Sequence, residues 1–235
     1  MFTCFVTSRA TEFRIVLIMF ALLAVLFVAF PQIDLSVSGL FYRGNGEWAL
    51  HRESRWLLLP YRGLPRVGQA LIVILLVLWG LSFAKRFPAL RARRVMFGFL
   101  LIGGLLGPVL LVDATLKEHS GRARPERVEA FGGSRLFTPA FVPADQCQAN
   151  CSFVSGHVAT AAFIMSFGWL GAPAVRRRWL LVSIAFGASL ALIRMVPGAH
   201  FLSDTVFAWF ATYFSLWLAE WLFRKAAWLP DAHQA

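Results

Sequence analysis

The sequence is short of charge. Asp, Glu, Lys and Arg make up 15 % of its 235 residues, against about a quarter in soluble domains, while 58 % are apolar. A soluble core of this length cannot hide so much apolar surface, so a lipid-embedded protein is the first expectation. Cysteine is scarce too, with three in the chain, too few for a disulfide-dense scaffold. No internal repeat or low-complexity tract is present, and apolar runs recur along almost the whole length. That leaves no room for a separate soluble domain, and one domain over 1–235 is expected. Acids are outnumbered, 12 against 23 bases, for a net charge of +11. The bases bracket apolar runs instead of forming one polar face, which argues against nucleic acid and for anionic lipid headgroups.

Six apolar segments can be read, roughly Ile15–Ile33, Val67–Ala84, Val95–Val112, Phe153–Val175, Trp179–Ile193 and Phe201–Phe223. The expected fold is therefore all-α: a polytopic membrane protein with six transmembrane helices. Arg9 and Arg14 ahead of the first run resemble a signal peptide, but the run is long and lacks a small-x-small cleavage site, so a retained span is expected. The 2–3 turn runs from Lys85 to Arg94 with five bases and no acid. Arg176-Arg177-Arg178 fills the 4–5 turn, and Arg224-Lys225 opens the C-terminal tail. By the positive-inside rule these regions and both termini are cytoplasmic. The connections 34–66, 113–152 and 194–200 then face outward, and they hold nearly every side chain capable of chemistry.

Cys4 lies in the N-terminal tail, whereas Cys147 and Cys151 sit four apart in an outward loop. A local disulfide and two free thiols both fit that spacing. Residues 40–62 mix aromatics with arginines, and suit either a short interfacial helix or a connecting loop anchored by aromatics.

Three outward clusters put basic or hydroxyl side chains at span boundaries. The first contains Lys117, Arg122, Arg124 and Pro125. Lys117 and Arg124 offer a point charge and a planar fork, suited to phosphate oxygens; taken alone, the cluster is better explained as a basic boundary of a span. The second is Ser155-Gly156-His157 at the start of a long apolar run. Here Ser155 is a natural N-cap, Gly156 admits backbone close to a ligand, and a helix N-terminus attracts anions. A lone histidine in such a place is more often packed than catalytic. The third runs from Arg194 through His200 to Asp204. Four residues apart, His200 and Asp204 would share a face in a helical turn, and a carboxylate bonded to one imidazole nitrogen leaves the other free to attack. Asp204 at a span edge needs a partner. Together the clusters hold what metal-free phosphoryl transfer requires.

These spacings resemble the type 2 phosphatidic acid phosphatase superfamily, whose pattern is Lys-x6-Arg-Pro, Pro-Ser-Gly-His and Ser-Arg-x5-His-x3-Asp. Lys117-x6-Arg124-Pro125 matches in full. Ser155-Gly156-His157 matches with Val154 in place of proline, and Arg194-x5-His200-x3-Asp204 matches with Ile193 in place of serine. The resemblance implies His200 as nucleophile, Asp204 as its orienting carboxylate and His157 as the acid that protonates the leaving oxygen. It implies Lys117, Arg124, Arg194, Ser155 and the Gly156 amide as phosphate ligands, with no metal and no cofactor. Val154 and Ile193 remove no charge or proton carrier, so the chemistry should survive them.

The stretches Cys151–His157 and Pro31-Gln32-Ile33-Asp34-Leu35 are more specifically similar to bacterial lipid A phosphatases. That similarity implies a periplasmic active site on the inner membrane and a phosphorylated lipid headgroup as partner. Arg122, Arg127 and Arg135 would suit a multiply anionic glycolipid, partly offset by Glu118, Glu126 and Glu129. The same site would also serve undecaprenyl diphosphate, phosphatidylglycerol phosphate or transfer of phosphate between lipids. A metal hydrolase using His119, His157, His200 and Asp204 fits no ligand spacing. A lipid transporter would explain the membrane-edge charges but not the three motifs.

Overall fold

The computed structural model describes residues 8–51 and 54–229. It is 69 % helix with one two-stranded hairpin. Among the described residues, five helices are long and apolar enough to cross a membrane. Helix α1 (Arg9–Ala29) starts at Ser8, whose hydroxyl accepts the Thr11 amide at 3.2 Å. Its 21 residues rise about 31 Å, close to the roughly 30 Å hydrocarbon core of a bilayer. Ile15, Ile18, Leu22 and Val25 are exposed along it, as lipid-facing residues should be. Pro31 follows, and a short helix α2 (Gln32–Gly39) turns away from the span. Asp34 belongs to α2 and is completely buried.

Among the described residues of segment 40–62, the only helical ones belong to the start of the next long helix, Arg55–Leu81. Tyr42–Gly44 (β1) pairs antiparallel with Glu47–Trp48 (β2) around Asn45 and Gly46, both at positive φ (53° and 79°). Asn-Gly is the preferred sequence for that tight turn. Tyr42, Trp48 and Phe131 then cluster in tilted and edge-on contact with centroids 5.2–5.5 Å apart, so the loop is anchored by aromatics. Helix α3 (Arg55–Leu81) follows directly; Cys4 and the side chains of Trp56 to Pro60 lie outside the described residues.

After the short helix α4 (Pro88–Ala92), helix α5 (Arg94–His119) runs continuously into the first motif. Pro108 removes one amide from its ladder, and Leu105–Leu116 is wound as a π-helix. Gly107 lets α5 approach helix α8 (Leu202–Lys225) closely: a Cβ there would lie 3.2 Å from Ser215 Cβ.

The fourth apolar run differs from expectation. Residues 153–155 are not helical, helix α6 covers only Gly156–Gly168, and helix α7 (Pro173–Met195) already contains Arg176. Gly171 and Pro173 break the run. Val158, Ala159, Ala161 and Ala162 of α6 are all buried in protein, so its length need not match the lipid. The charges inside the helices are paired away from the site. Arg176 donates to Glu12 at 2.7 and 2.9 Å, and Tyr213 Oη donates to the same carboxylate at 2.9 Å. Glu220 takes Arg9, Arg224 and the Trp169 indole. This buried network ties α1 to α7, α8 and the end of α6, at the helix ends opposite the three motifs.

Candidate active site

The backbone draws the three motifs together. The Cys151 amide donates to Lys117 O at 2.8 Å, Ser152 N to Arg122 O at 2.9 Å, and Ser155 N to Asp204 O at 3.0 Å. The extended strip 151–155 is thus bound to the first motif on one side and to the start of α8 on the other. The Cys147 and Cys151 sulfurs are joined as a disulfide, with Cα atoms 5.6 Å apart.

His200 lies just before α8 and is 1 % exposed. Its Nδ1 is 2.8 Å from Ser152 O. A carbonyl only accepts, so Nδ1 carries the proton and Nε2 is left with its lone pair. Burial holds the imidazole well below its ordinary pKa, and the positive charges of Arg124, Arg194 and Lys117 press it further the same way. The nitrogen that would attack is neutral.

Asp204 does not occupy the expected position at Nδ1. Its Oδ2 lies 3.6 Å from that nitrogen, outside hydrogen-bond reach. Oδ2 accepts instead from Ser152 Oγ at 2.5 Å and from the Phe201 amide at 2.8 Å. The shared helical turn does not form because α8 begins only at Leu202, so His200 precedes it. Ser152 links the pair, with its carbonyl on His200 and its hydroxyl on Asp204.

His157 opens α6, and its Nε2 is 2.8 Å from Tyr61 O. By the same logic Nε2 carries the proton, and Nδ1 is left with its lone pair. Ser155 sits at the N-cap of α6 but caps nothing; its buried Oγ has no hydrogen-bond partner among the described residues. Lys117 Nζ is 3.2 Å from Asp113 Oδ1, and a Cβ on Gly156 would meet that carboxylate oxygen at 2.7 Å and Lys117 Nζ at 3.4 Å. Only glycine leaves room beside this lysine. Arg124 is held by Ala199 O and Asn150 O, and Arg194 is buried with its guanidinium 4.1 Å from the Tyr61 ring centroid.

Arg122 is a correction. Expected at a headgroup, it is 1 % exposed and donates to Asp34 Oδ2 at 2.8 Å and Asp204 Oδ1 at 2.5 Å. Two buried carboxylates outcompete an outward position for one planar, five-donor cation. Arg127 and Arg135 are exposed, away from this core. Sequence reasoning missed Ser152, Ser203, Tyr61 and Asp113 as site residues and gave Asp34 no role; a carboxylate just beyond an apolar span was the available signal. Among the described residues no three His, Cys, Asp or Glu side chains group as a metal site would.

A cavity of about 520 Å³ reaches Lys117, Gly156 and His157 at one end. From there it runs between α3, α5 and α6 past Ile72, Leu105, Phe163 and Phe167. Polar grips at one end and apolar walls at the other are the features of a site for an amphipathic phosphate ester.

The PAP2 superfamily matches residues 95–228, which include all three motifs. The chain belongs to that superfamily. This PAP2 chain is 34 % identical over 208 residues to a lipid A 4′-phosphatase of Francisella tularensis subsp. novicida, covering 86 % of this chain and 91 % of the relative. It is 36 % identical over 219 residues to a lipid A 4′-phosphatase of Rhizobium etli, covering 82 % and 79 %. A protein of the same description from Rhizobium leguminosarum is 36 % identical over 208 residues, covering 82 % and 87 %. No solved structure gives a significant match. The PAP2 chain is a multi-pass membrane phosphatase, a phosphoric monoester hydrolase.

Proposed function

We propose that this phosphatase removes the 4′-phosphate of lipid A at the periplasmic face of the bacterial inner membrane, through a phosphohistidine on His200. The observation that carries the mechanism is the 2.8 Å contact of His200 Nδ1 with the Ser152 carbonyl. It presents an unprotonated Nε2 in a setting of three cations. The Nε2 lone pair attacks phosphorus in line as the bond to the lipid oxygen breaks. His157 takes up a second proton on Nδ1 opposite the phosphate dianion while Nε2 stays on Tyr61 O, and gives the lipid oxygen the Nδ1 proton. His157 Nδ1 then takes a proton from water, whose oxygen displaces the histidine and yields inorganic phosphate. Lys117, Arg124, Arg194, Ser155 and the Gly156 amide hold the phosphoryl oxygens meanwhile. Every step moves only protons and phosphoryl, and needs no cofactor.

The relatives' descriptions support the lipid A headgroup. The apolar cavity supports an acyl chain lying beside α3, and exposed Arg127 and Arg135 are available to further anionic groups of the glycolipid. Six crossings follow if α6 is counted with the five long helices, returning the C-terminus to the side of the N-terminus. The basic Lys85–Arg94 turn, Arg176–Arg178 and Arg224-Lys225 support placing that side in the cytoplasm.

The test is phosphate release by the purified enzyme from lipid A bearing its 4′-phosphate, against phosphatidylglycerol phosphate and undecaprenyl diphosphate. Lipid A should be hydrolysed fastest, and acid-labile phosphate should be trapped on His200. Activity that survives His200→Ala would sink the nucleophile assignment, and preference for either other lipid would sink the headgroup.

A further inference from the structure

Asp34 takes no part in the steps above. Yet it is 0 % exposed, and among the described residues the hydrogen bonds to its carboxylate come from Arg122 and Ser203. The Ser203 amide donates to Oδ1 at 2.8 Å, while Ser203 Oγ and Arg122 Nη2 donate to Oδ2 at 2.5 and 2.8 Å. Arg122 Nη1 continues to Ser203 Oγ at 2.8 Å and to Asp204 Oδ1 at 2.5 Å, and Nε donates to Thr138 O at 2.8 Å. The Arg122 guanidinium also lies 4.5 Å from the Phe201 ring centroid, packed against the residue that follows His200.

The partners of both carboxylates are N–H and O–H donors. Burial raises the Asp34 carboxyl above its ordinary value; Arg122 opposes that push and Asp204 adds to it. Two carboxylates and one guanidinium leave a single net negative charge, buried beside the imidazole that is to become a cationic phosphoimidazole.

We propose that Asp34 and Arg122 are positioning residues for phosphoryl transfer: Arg122 holds the Asp204 carboxylate directly, Asp34 holds Arg122 both directly and through Ser203, and together they fix the net charge beneath His200. Neither touches the phosphoryl group. They act on Asp204, which acts through Ser152 on His200. The role rests on the reading of His200 as nucleophile. It also explains why a residue of the first loop, 170 positions before Asp204, is built into the reaction centre.

The charge count makes the role testable. Asp34→Asn leaves the network neutral, Arg122→Met leaves two negative charges, and the double variant restores one. In detergent-solubilised full-length enzyme with lipid A bearing its 4′-phosphate, Asp34→Asn should lower kcat about 10- to 100-fold with KM changed less than about threefold. Arg122→Met should lose more, and the double variant should regain at least about tenfold in kcat over Arg122→Met. A folded Asp34→Asn enzyme with wild-type kcat overturns the proposal, whatever its melting temperature. If that variant does not fold, Ser203→Ala carries the test: kcat lowered about three- to tenfold at unchanged KM supports the role, and unchanged kcat overturns it. The His200→Ala enzyme separates the two failures. If it is inactive, wild-type kcat in Asp34→Asn removes the positioning role alone; if it is active, the nucleophile reading fails and the positioning role falls with it.

Discussion

Ser152 and His200 meet through a backbone carbonyl, 2.8 Å from Nδ1, and the neighbouring carboxylate Asp204 stays 3.6 Å away. The tautomer of the proposed nucleophile is therefore set by main chain, which cannot be protonated or mutated away. Asp204 is left to hold the strip that carries this carbonyl, through the Ser152 hydroxyl at 2.5 Å and the Ser155 amide at 3.0 Å.

Ser152→Ala isolates the second of these contacts. It keeps the carbonyl on His200 and removes the hydroxyl from Asp204, leaving one oxygen of a buried carboxylate a donor short. A hydrogen bond to a charged group is worth about 1.5–3 kcal/mol, so kcat should fall roughly 10- to 100-fold. KM should hold, because no phosphate ligand changes. Steady-state kinetics on lipid micelles would show a KM effect instead if Ser152 binds substrate directly.

Protonation of His200 gives a second expectation. The unfolded chain protonates this histidine near pH 6.5, and the folded protein only well below that, through burial and the charges of Arg124, Arg194 and Lys117. Between those values the unfolded state binds more protons, so stability falls as pH drops below 6.5, by up to about 1.4 kcal/mol per pH unit. Melting temperatures in detergent should decline more steeply from pH 6.5 to 5 for wild type than for His200→Asn. The acid limb of kcat/KM assigned to His200 should also lie below 6.5. Equal slopes for the two proteins would show that His200 is not buried neutral.

The long spans were legible because lipid demands about twenty apolar residues in a row, and nothing local interferes with that count. The proposed phosphate ligands rest on the spacing of their motifs. What composition could not reveal is where a run is broken or who meets whom across the fold. Phe153–Val175 reads as one span, but the strip up to Ser155 is needed as backbone between two motifs, and Gly171 with Pro173 ends the helix early. Asn45-Gly46 was a readable turn signal overshadowed by the aromatics around it. Arg122 looks like a surface base until Asp34, distant in sequence, is placed beside it. The placement of Nδ1 on Ser152 O has no signature in side-chain identity.

Gly156 faces the lysine proposed to grip phosphate, and the space beside it is measurable. A methyl group there would come 2.7 Å from Asp113 Oδ1 and 3.4 Å from Lys117 Nζ, so Gly156→Ala should push the Asp113–Lys117 pair out of place. Anion binding should suffer first. Half-maximal inhibition by vanadate should need about tenfold more anion, equivalent to about 1.4 kcal/mol. Asp113→Ala in the same chain removes the nearer clash, and should recover much of that loss. No recovery would mean that the methyl group obstructs the phosphoryl position itself.

At the far end of the bundle, Glu12 binds Arg176 at 2.7 Å and Tyr213 Oη at 2.9 Å, joining the otherwise lipid-exposed α1 to α7 and α8. Glu12→Gln leaves the Arg176 guanidinium, 3 % exposed, without its charge partner. Breaking a buried pair from one side costs about 3 kcal/mol, so the melting temperature should fall by several degrees. None of the groups at His200 shares a partner with Glu12, and distant, unconnected sites behave additively. The folded fraction should therefore keep kcat within about twofold of wild type. A loss of kcat at temperatures well below the new melting point would reveal coupling between the two ends of α8.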